Sequence, residues 1–174
     1  FATFSRDEPQ GDEYKRSAEV LHAAAEHAAQ AGITLTPEAL NRFECYLVNT
    51  MAQLKKLVDL ADHPNLRGMF DPHHANIEEK SFASAIDTIG PVMTHVHISE
   101  NDRGTPGAGH IPWDEVFSSI AKTGYDGWYT IEAFSRDDLG FANAINVWRE
   151  FNPRMDICRD GYAFTKAMIE KHKN

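Results

Sequence analysis

The sequence predicts an α/β protein whose parallel strands belong to a (β/α)₈ barrel. Two observations predict this class. Apolar segments rich in β-branched residues alternate with stretches that have the helical period of 3.6 residues. At the ends of four successive strand-like segments stand side chains that can bind a metal, spaced at intervals of 33, 26 and 35 residues. A barrel uses roughly 30 residues for each strand and helix, and its functional groups lie at the C-terminal ends of the strands.

The composition is that of one soluble globular domain. The 174 residues are 42% hydrophobic and 25% charged, and 17 basic against 26 acidic residues give a net charge of −9. This acidic surplus disfavours nucleic acid as a partner, because no basic surface is available to displace counterions. The sequence lacks an apolar run of the roughly 20 residues that cross a membrane, and we expect a cytoplasmic protein. Cys45 and Cys158 do not form a C-x-x-C pair, which disfavours a zinc-thiolate site.

The first predicted elements are the end of a strand at residues 1–4, a helix at residues 12–31 and a strand at residues 33–36. The helix carries an apolar stripe at three- and four-residue steps and ends at a glycine. The strand is rich in β-branched residues. Pro37 has no amide hydrogen and should interrupt the strand ladder, so that Glu38 follows the strand's end.

The second unit has a helix that begins after Asn49, a residue type that caps helices, and ends at a proline-containing turn. A strand at residues 66–70 follows it and leads directly to Asp71. We therefore expect Asp71 to lie beside Glu38, at the same edge of the sheet.

The third unit has a helix near residues 82–89, which a Gly-Pro pair closes, and a strand at residues 92–99. His95 and His97 share one face of this strand because side chains alternate. The G-x-G-x-x-G spacing of a nucleotide-binding loop is missing from the glycine-containing segment behind it.

The fourth unit has a helix with Pro112 at its first position and a strand at residues 128–131 that ends at Glu132. Two further helices are predicted, one around residues 141–148 and one at residues 162–172. Four consecutive strand ends aimed at one point fit a closed ring better than the crevice of an open doubly wound sheet.

The four strand-end residues predict a shared metal site. Taken singly, an acidic residue behind a strand is an ordinary loop residue or helix cap, and a strand histidine is an ordinary core residue. Their recurrence at matching positions favours a divalent cation, and carboxylates with one imidazole suit Mn²⁺, Co²⁺ or Mg²⁺. With a glutamate on each side, one can remove a proton from a carbon and the other can return one to the opposite face. The predicted ligands are Glu38, Asp71, His97 and Glu132.

The segments around these residues resemble the ketose 3-epimerases of the D-tagatose and D-allulose (D-psicose) type, within the xylose-isomerase-like barrel superfamily of sugar phosphate isomerases and epimerases. The resemblance covers residues 18–167, and these motifs carry it: residues 38–44 (EALNRFE), residues 71–79 (DPHHANIEE), residues 95–103 (HVHISENDR), residues 112–115 (PWDE) and residues 124–134 (GYDGWYTIEAF).

The resemblance implies a metal-dependent isomerase, with Mn²⁺ as the first choice of cation, that epimerises a ketose at C3 through an enediolate. It implies Glu38 and Glu132 as the catalytic pair, which are also metal ligands with Asp71 and His97. It further implies Glu44, His74 and Arg103 as contacts to the substrate oxygens around C1 to C3. For each of these three, an exposed residue, a turn cap or a partner of a neighbouring carboxylate is the alternative.

Three positions depart from the motifs of that family and leave the sugar open, namely Pro37, the pair Pro72-His73, and Ala133. Family members are also longer. We therefore expect residues 1–174 to be a single-domain fragment, the C-terminal half of the barrel from the end of strand 4 through strand 8 and the C-terminal helices. Exposed sheet edges would then need an N-terminal barrel half as a partner, and the resemblance implies a homodimer or homotetramer.

Several other functions are compatible with the same residues. An aldose-ketose isomerase, a hydroxypyruvate-type isomerase and a keto-polyol dehydratase or lyase use similar metal and carboxylate sets. A barrel endonuclease is disfavoured by the acidic charge and by the small number of strand-end histidines. A subunit without catalytic activity, which keeps the metal for structure or sugar binding, is the alternative outside the enzymes.

Overall fold

The structure, a computed structural model, describes residues 11–150 and 153–173, so the strand end predicted at residues 1–4 lies outside the described residues. Helices and short parallel strands alternate along this part of the chain. The elements in chain order are α1 (Gly11–Ala29), α2 (Met51–Ala61), β1 (Gly68–Phe70), α3 (Pro72–Glu78), α4 (Phe82–Ile89), a 3₁₀ turn (Gly90–Val92), β2 (Met93–Ile98), α5 (Trp113–Lys122), β3 (Trp128–Ile131), α6 (Leu139–Ala144) and α7 (Arg154–His172).

The three strands form one parallel sheet in the order β1-β2-β3, with helices in the connections. This confirms the predicted α/β class with a parallel sheet. The prediction that the chain is a single-domain half barrel stays a prediction.

The prediction of a strand at residues 33–36 is wrong in its extent. Only Leu35 pairs, through an isolated parallel bridge to Leu66. Its amide donates to the carbonyl of Asn65 at 2.8 Å, and its carbonyl accepts from the amide of Arg67 at 2.9 Å. Pro37 lacks the amide hydrogen that the next ladder position requires. The segment still lies next to the chain that leads into β1, so its end joins the row of the three strand ends.

The two faces of β2 have different surroundings. Val96 and Ile98 are fully buried in the hydrophobic core. His95 and His97 are half-buried, and their ring centroids lie 5.3 Å apart on the same side of the strand, as the alternation predicts. The large side chains that are most completely buried with Val96 and Ile98 come from β1, the segment before it and the helices, and include Leu54, Leu66, Phe70, Ile86, Ile89, Phe117 and Ile120.

The second helix begins one residue later than predicted. Its N-cap is Thr50, whose hydroxyl accepts from the amide of Gln53 while the Gln53 side chain accepts from the Thr50 amide. This reciprocal pair is a capping box. Asn49 instead donates its side-chain amide to the carbonyls of Leu40 and Cys45, at 2.6 and 2.8 Å. Asn49 therefore ties together the loop behind Glu38.

Other helix boundaries also differ from the predictions. Helix α3 was not predicted, because seven residues are too few to show a clear hydrophobic period. Helix α5 begins at Trp113 with Pro112 as its N-cap. Helix α6 ends before Asn146, whose φ of 62° does not continue a helix. Helix α7 begins at Arg154, eight residues before the predicted start.

Within the residues that the structure describes, no helix combines the length and the apolar composition needed to span a membrane.

Candidate metal centre and active site

The four predicted metal ligands converge at one edge of the sheet. Glu38 follows the Leu35 bridge, Asp71 follows β1, His97 lies in β2, and Glu132 follows β3. One ligand atom from each residue lies within 4.8 Å of those of the other three. Nδ1 of His97 is 3.4 Å from a Glu38 oxygen and 3.2 Å from oxygens of both Asp71 and Glu132. These four side chains therefore share one centre, and their role as metal ligands stays a prediction.

Local backbone contacts place two of these carboxylates. The amide of Glu132 donates to the carbonyl of Ile98 at 3.1 Å, which extends the β2–β3 pairing by one step. Asp71 is the N-cap of α3, and its Oδ1 accepts from the amides of His73 and His74 at 2.7 and 3.2 Å. Oδ2 of the same carboxylate is the atom 3.2 Å from His97. The helix start therefore fixes the orientation of Asp71 in the site.

The carboxylates of the cluster strongly favour the protonated, positively charged form of His97. Burial alone would lower the pKa of His97, but the carboxylates of Asp71, Glu132 and Glu38 around the ring raise it to about 11. Burial alone would likewise raise the pKa of Asp71, yet His97 and the positive charge of Arg103 hold it well below its usual range. Opposite charges at this distance stabilise each other's ionised form.

Glu38 has a different environment. Burial raises the pKa of its carboxyl group, and the nearby charge of Asp71 adds to the rise, whereas His97 opposes it. Oε1 of Glu38 is buried, and no hydrogen bond satisfies it. A buried acceptor without a donor is uncommon in folded proteins, and a cation bound at this oxygen would satisfy it.

Arg103, predicted as a substrate contact, reaches the same centre from the loop behind β2. Its guanidinium donates to Asp71 at 3.2 Å, to the Ser99 hydroxyl at 2.7 Å, and to Glu132. Its Nη2 lies 2.9 Å from Nε2 of His74. The partners of its guanidinium are therefore these groups. The alternative that the sequence left open, a carboxylate close to Arg103 in the chain such as Asp102 or Glu100, is not what the structure shows.

His74 and Glu44, the other two predicted substrate contacts, share Asn41 as a partner. The backbone amide of Asn41 donates to Nδ1 of His74 at 3.0 Å, and its side-chain amide donates to Glu44 at 2.8 Å. Both ring nitrogens of His74 therefore face N–H donors, Asn41 at Nδ1 and Arg103 at Nε2. Burial is the main cause that lowers the pKa of His74, so the ring is neutral near pH 7. Asn41 is itself buried.

A cavity of about 410 Å³ opens in front of these groups. It brings the predicted catalytic pair together with all three predicted substrate contacts. Its lining residues are Glu38, Leu40, Glu44, His73, His74, Asp102, Arg103, Glu132, Phe134, Ala144, Ile145, Asn146 and Val147.

The sequence patterns indicated no site role for Asn41, Ser99 and Glu100, which hydrogen-bond to the predicted residues or to the loop that follows β2. Ser99 and Glu100 directly follow β2, and this is the same strand-end signal that identified the metal ligands. Asn41 lies inside the motif at residues 38–44, but nothing in its spacing indicates that it contacts a histidine 33 residues away.

A parallel α/β fold with carboxylates and a histidine at adjacent strand ends is the arrangement in which TIM barrels place their functional groups. The profile of the xylose isomerase-like TIM barrel family matches residues 1–167. The chain belongs to this family.

The relatives to which the chain is similar include ketose 3-epimerases, as the sequence motifs predicted. It is 36% identical to a D-psicose 3-epimerase of Ruminiclostridium cellulolyticum and 35% identical to one of Agrobacterium fabrum, over 93% and 95% of this chain. The alignments span 57% and 60% of those proteins, so the chain covers less than two thirds of its relatives' length.

Solved structures give the same result. An L-ribulose 3-epimerase superposes with a TM-score of 0.89 at 32% identity, over 97% of this chain and 58% of the other. A D-psicose 3-epimerase with D-tagatose from Clostridium cellulolyticum H10 superposes with a TM-score of 0.87 at 32% identity, over 97% of this chain and 60% of the other.

Proposed function

We propose that the chain carries the metal centre and the proton-transfer groups of a ketose 3-epimerase, which inverts the configuration of a ketose at C3. One observation carries the proposal, the convergence of ligand atoms from four strand ends within 4.8 Å. Relatives named D-psicose 3-epimerase support the choice of reaction. A cytoplasmic location, a dimeric or tetrameric assembly, and an N-terminal barrel half as partner stay predictions.

A divalent cation fits the donor set. Oε1 of Glu38 is buried without a hydrogen bond, and three carboxylates face one imidazole nitrogen. Such ligands suit Mn²⁺, Co²⁺ or Mg²⁺, and of these we propose Mn²⁺. When bound, the ion would supply Lewis-acid stabilisation to negative charge on two neighbouring substrate oxygens. The residues that would hold it are Glu38, Asp71, His97 and Glu132.

The proton-transfer pair is Glu38 and Glu132. They stand behind the two outer segments of the row formed by Leu35, β1, β2 and β3, and therefore flank the site. Burial raises the pKa of Glu38, which favours its protonated form as a donor. Glu132 contacts the guanidinium of Arg103, and we assign it as the base.

In one direction of the reaction, Glu132 removes the C3 proton and leaves an enediolate. Glu38 then delivers its own proton to the opposite face of C3, so that the substrate gains one proton for the one it lost. The two glutamates have exchanged protonation states, and the reverse reaction uses them in the opposite roles.

Three residues are placed to hold the ketose oxygens. Arg103 offers only donors and Glu44 offers only acceptors, and His74 neighbours both of them. All three line the cavity together with the proton-transfer pair. Donors and an acceptor in one cavity suit a carbonyl oxygen flanked by hydroxyl groups, which is the arrangement around C1 to C3 of a ketose.

The proposal is tested by supplying ketohexoses and ketopentoses in deuterated water with Mn²⁺. We expect a C3 epimer in the chromatogram and deuterium at C3 in both substrate and product. Absence of C3 exchange for every ketose would contradict the epimerase proposal. Exchange at C1 or C2 with an aldose product would favour an aldose-ketose isomerase, and loss of water would favour a dehydratase.

A further inference from the structure

Glu100 directly follows β2 and Ser99, and its carboxylate is fully buried. Both of its oxygens accept hydrogen bonds from the loop that follows. Oε1 accepts from the Gly107 amide at 2.8 Å and from the Trp113 indole at 2.5 Å. Oε2 accepts from the Ile111 amide at 3.4 Å. One carboxylate therefore connects the start of the loop at residues 101–112 to its far end and to the first residue of α5.

The loop closes tightly around this carboxylate. A Cβ atom at Gly109 would collide with Oε2 of Glu100 and with the side-chain oxygen of Asn101. That Asn101 oxygen also accepts from the amide of His110 at 2.9 Å. A glycine is required where the backbone approaches a side chain so closely, and the loop therefore has little freedom to shift while Glu100 is in place.

Arg103 lies in this loop, and its side chain extends from the loop into the site. Its φ of 63° lies in the left-handed region, which residues other than glycine seldom adopt. Such a conformation persists where the surroundings over-determine it. Its amide donates to the Glu100 carbonyl at 3.1 Å, and its carbonyl accepts from the Phe134 amide at 2.8 Å. The guanidinium then stands among Asp71, Glu132 and His74.

We propose that Glu100 is a positioning residue, which acts through Arg103. By holding the loop, it fixes the backbone of Arg103 and thereby the guanidinium beside the metal ligands and the substrate. The part of this inference that concerns substrate rests on the proposed function. The contact between Arg103 and the carboxylates does not.

The carboxylate is specifically suited to this task. Each of its two oxygens meets N–H donors, and the amides of Gly107 and Ile111 and the indole of Trp113 carry no charge. A glutamine at this position would keep one acceptor oxygen but would place an NH₂ group against an N–H donor on the other side. The buried charge is costly, and the loop's backbone donors are what compensate it.

The test is a double-mutant cycle with E100Q, R103A and both together, made in the natural full-length protein. We measure kcat and KM for a ketose and, separately, the Kd for Mn²⁺ by calorimetry. E100Q should lower kcat/KM about tenfold, a coupling of the size seen between residues in one network. In the R103A background, E100Q should have no further effect.

Metal affinity gives a readout that does not depend on turnover. R103A removes a positive charge from beside Asp71 and Glu132, so Mn²⁺ should bind more tightly. E100Q should also tighten Mn²⁺ binding, because the guanidinium moves away, and it should do so only when Arg103 is present. If the wild type turns over no ketose, the epimerase proposal fails, and this measurement still decides the role of Glu100.

Thr165→Val is the matched control, since it removes a buried hydrogen bond from Thr165 to the Gly161 carbonyl in α7. It should lower Tm without changing KM or the Mn²⁺ Kd. If E100Q does not fold, the same cycle is run with W113F, which removes one donor and keeps the carboxylate. Two results would overturn the proposal. One is a double variant whose loss of kcat/KM is the product of the two single losses, and the other is a substitution at this network that leaves KM and the Mn²⁺ Kd at their wild-type values.

Discussion

At the scale of single residues, the site is defined by three carboxylates crowded around one imidazole. His97 lies within 3.4 Å of an oxygen from each of them. Mutual repulsion among the carboxylates is relieved by the proton on His97 and by Arg103. A divalent cation would relieve the same repulsion more completely, but it needs the imidazole nitrogen that the proton occupies.

Cation binding should therefore release a proton. The pKa of His97 is raised to about 11, so the ring is protonated at about pH 7.5 and must lose about one proton when the ion binds. Affinity should consequently fall as the pH falls, by up to about tenfold per unit. Calorimetry of Mn²⁺ binding in buffers of different ionisation enthalpy measures the released proton. His97→Gln should abolish the release, whereas the neighbouring His95→Gln should keep it. Binding without proton release would contradict the assignment.

The proton-transfer role makes a second prediction at this scale. Glu132→Gln removes a base and a metal ligand together, and we expect epimerisation to fall by at least about 100-fold. Deuterium incorporation at C3 of the ketose measures it. Glu26→Gln is the control, because the Glu26 carboxylate is 65% exposed and contacts only His63 among the ion pairs of the described residues. Unchanged turnover in Glu132→Gln would favour the alternative of a subunit without catalytic activity.

At the scale of elements, the junction of β1 and α3 combines a structural and a chemical role in one side chain. Oδ1 of Asp71 caps the helix, and Oδ2 points to His97 and Arg103. The strand end and the helix start therefore orient the carboxylate through Oδ1, and leave Oδ2 for the site.

The two roles of Asp71 should separate on substitution. Asn at this position keeps an oxygen that can cap α3 but loses the charge, so Mn²⁺ affinity should fall while the helix stays capped. Asp71→Ala loses both, and the free energy of unfolding should be about 1 kcal/mol lower than that of Asp71→Asn. Urea unfolding of the metal-free variants measures this difference. Equal stabilities would show that the cap contributes nothing.

Element boundaries were predictable where local signals agree. The strand at residues 128–131 and the helix at residues 82–89 have the bounds that the sequence predicted. The N-cap at Asn49 was predicted one residue early, because Thr50 forms a capping box and Asn49 bonds to two carbonyls of the preceding loop. The choice between two adjacent capping residues was made by contacts with that loop, which the local sequence does not encode.

At the scale of the whole molecule, the order of the strands decides the arrangement of the site. Glu38 and Glu132 follow the outer members of the row, and Asp71 and His97 follow or lie in the inner ones. The ion would therefore connect four segments that are far apart in sequence. Binding at such a site couples directly to the stability of the fold.

Metal should stabilise the whole described domain. At a free Mn²⁺ concentration of 100 times Kd, the free energy of unfolding should rise by about 2.7 kcal/mol, which corresponds to about 5 to 10 °C in Tm for a chain of this length. Thermal unfolding with Mn²⁺ and with a chelator measures the shift. Glu132→Gln should lose most of it. A Tm that no divalent cation changes would contradict the metal centre.

The sequence by itself determined the α/β class and the four residues that converge, because strand periodicity and barrel pitch are local properties of the chain. It also contained the motifs shared with ketose 3-epimerases. Only the tertiary structure decided that Arg103 joins the carboxylates, that Asn41 holds His74 and Glu44, and that Glu100 anchors the loop. These contacts join residues whose orientation depends on how the loops pack, and no periodic pattern in the sequence specifies that packing.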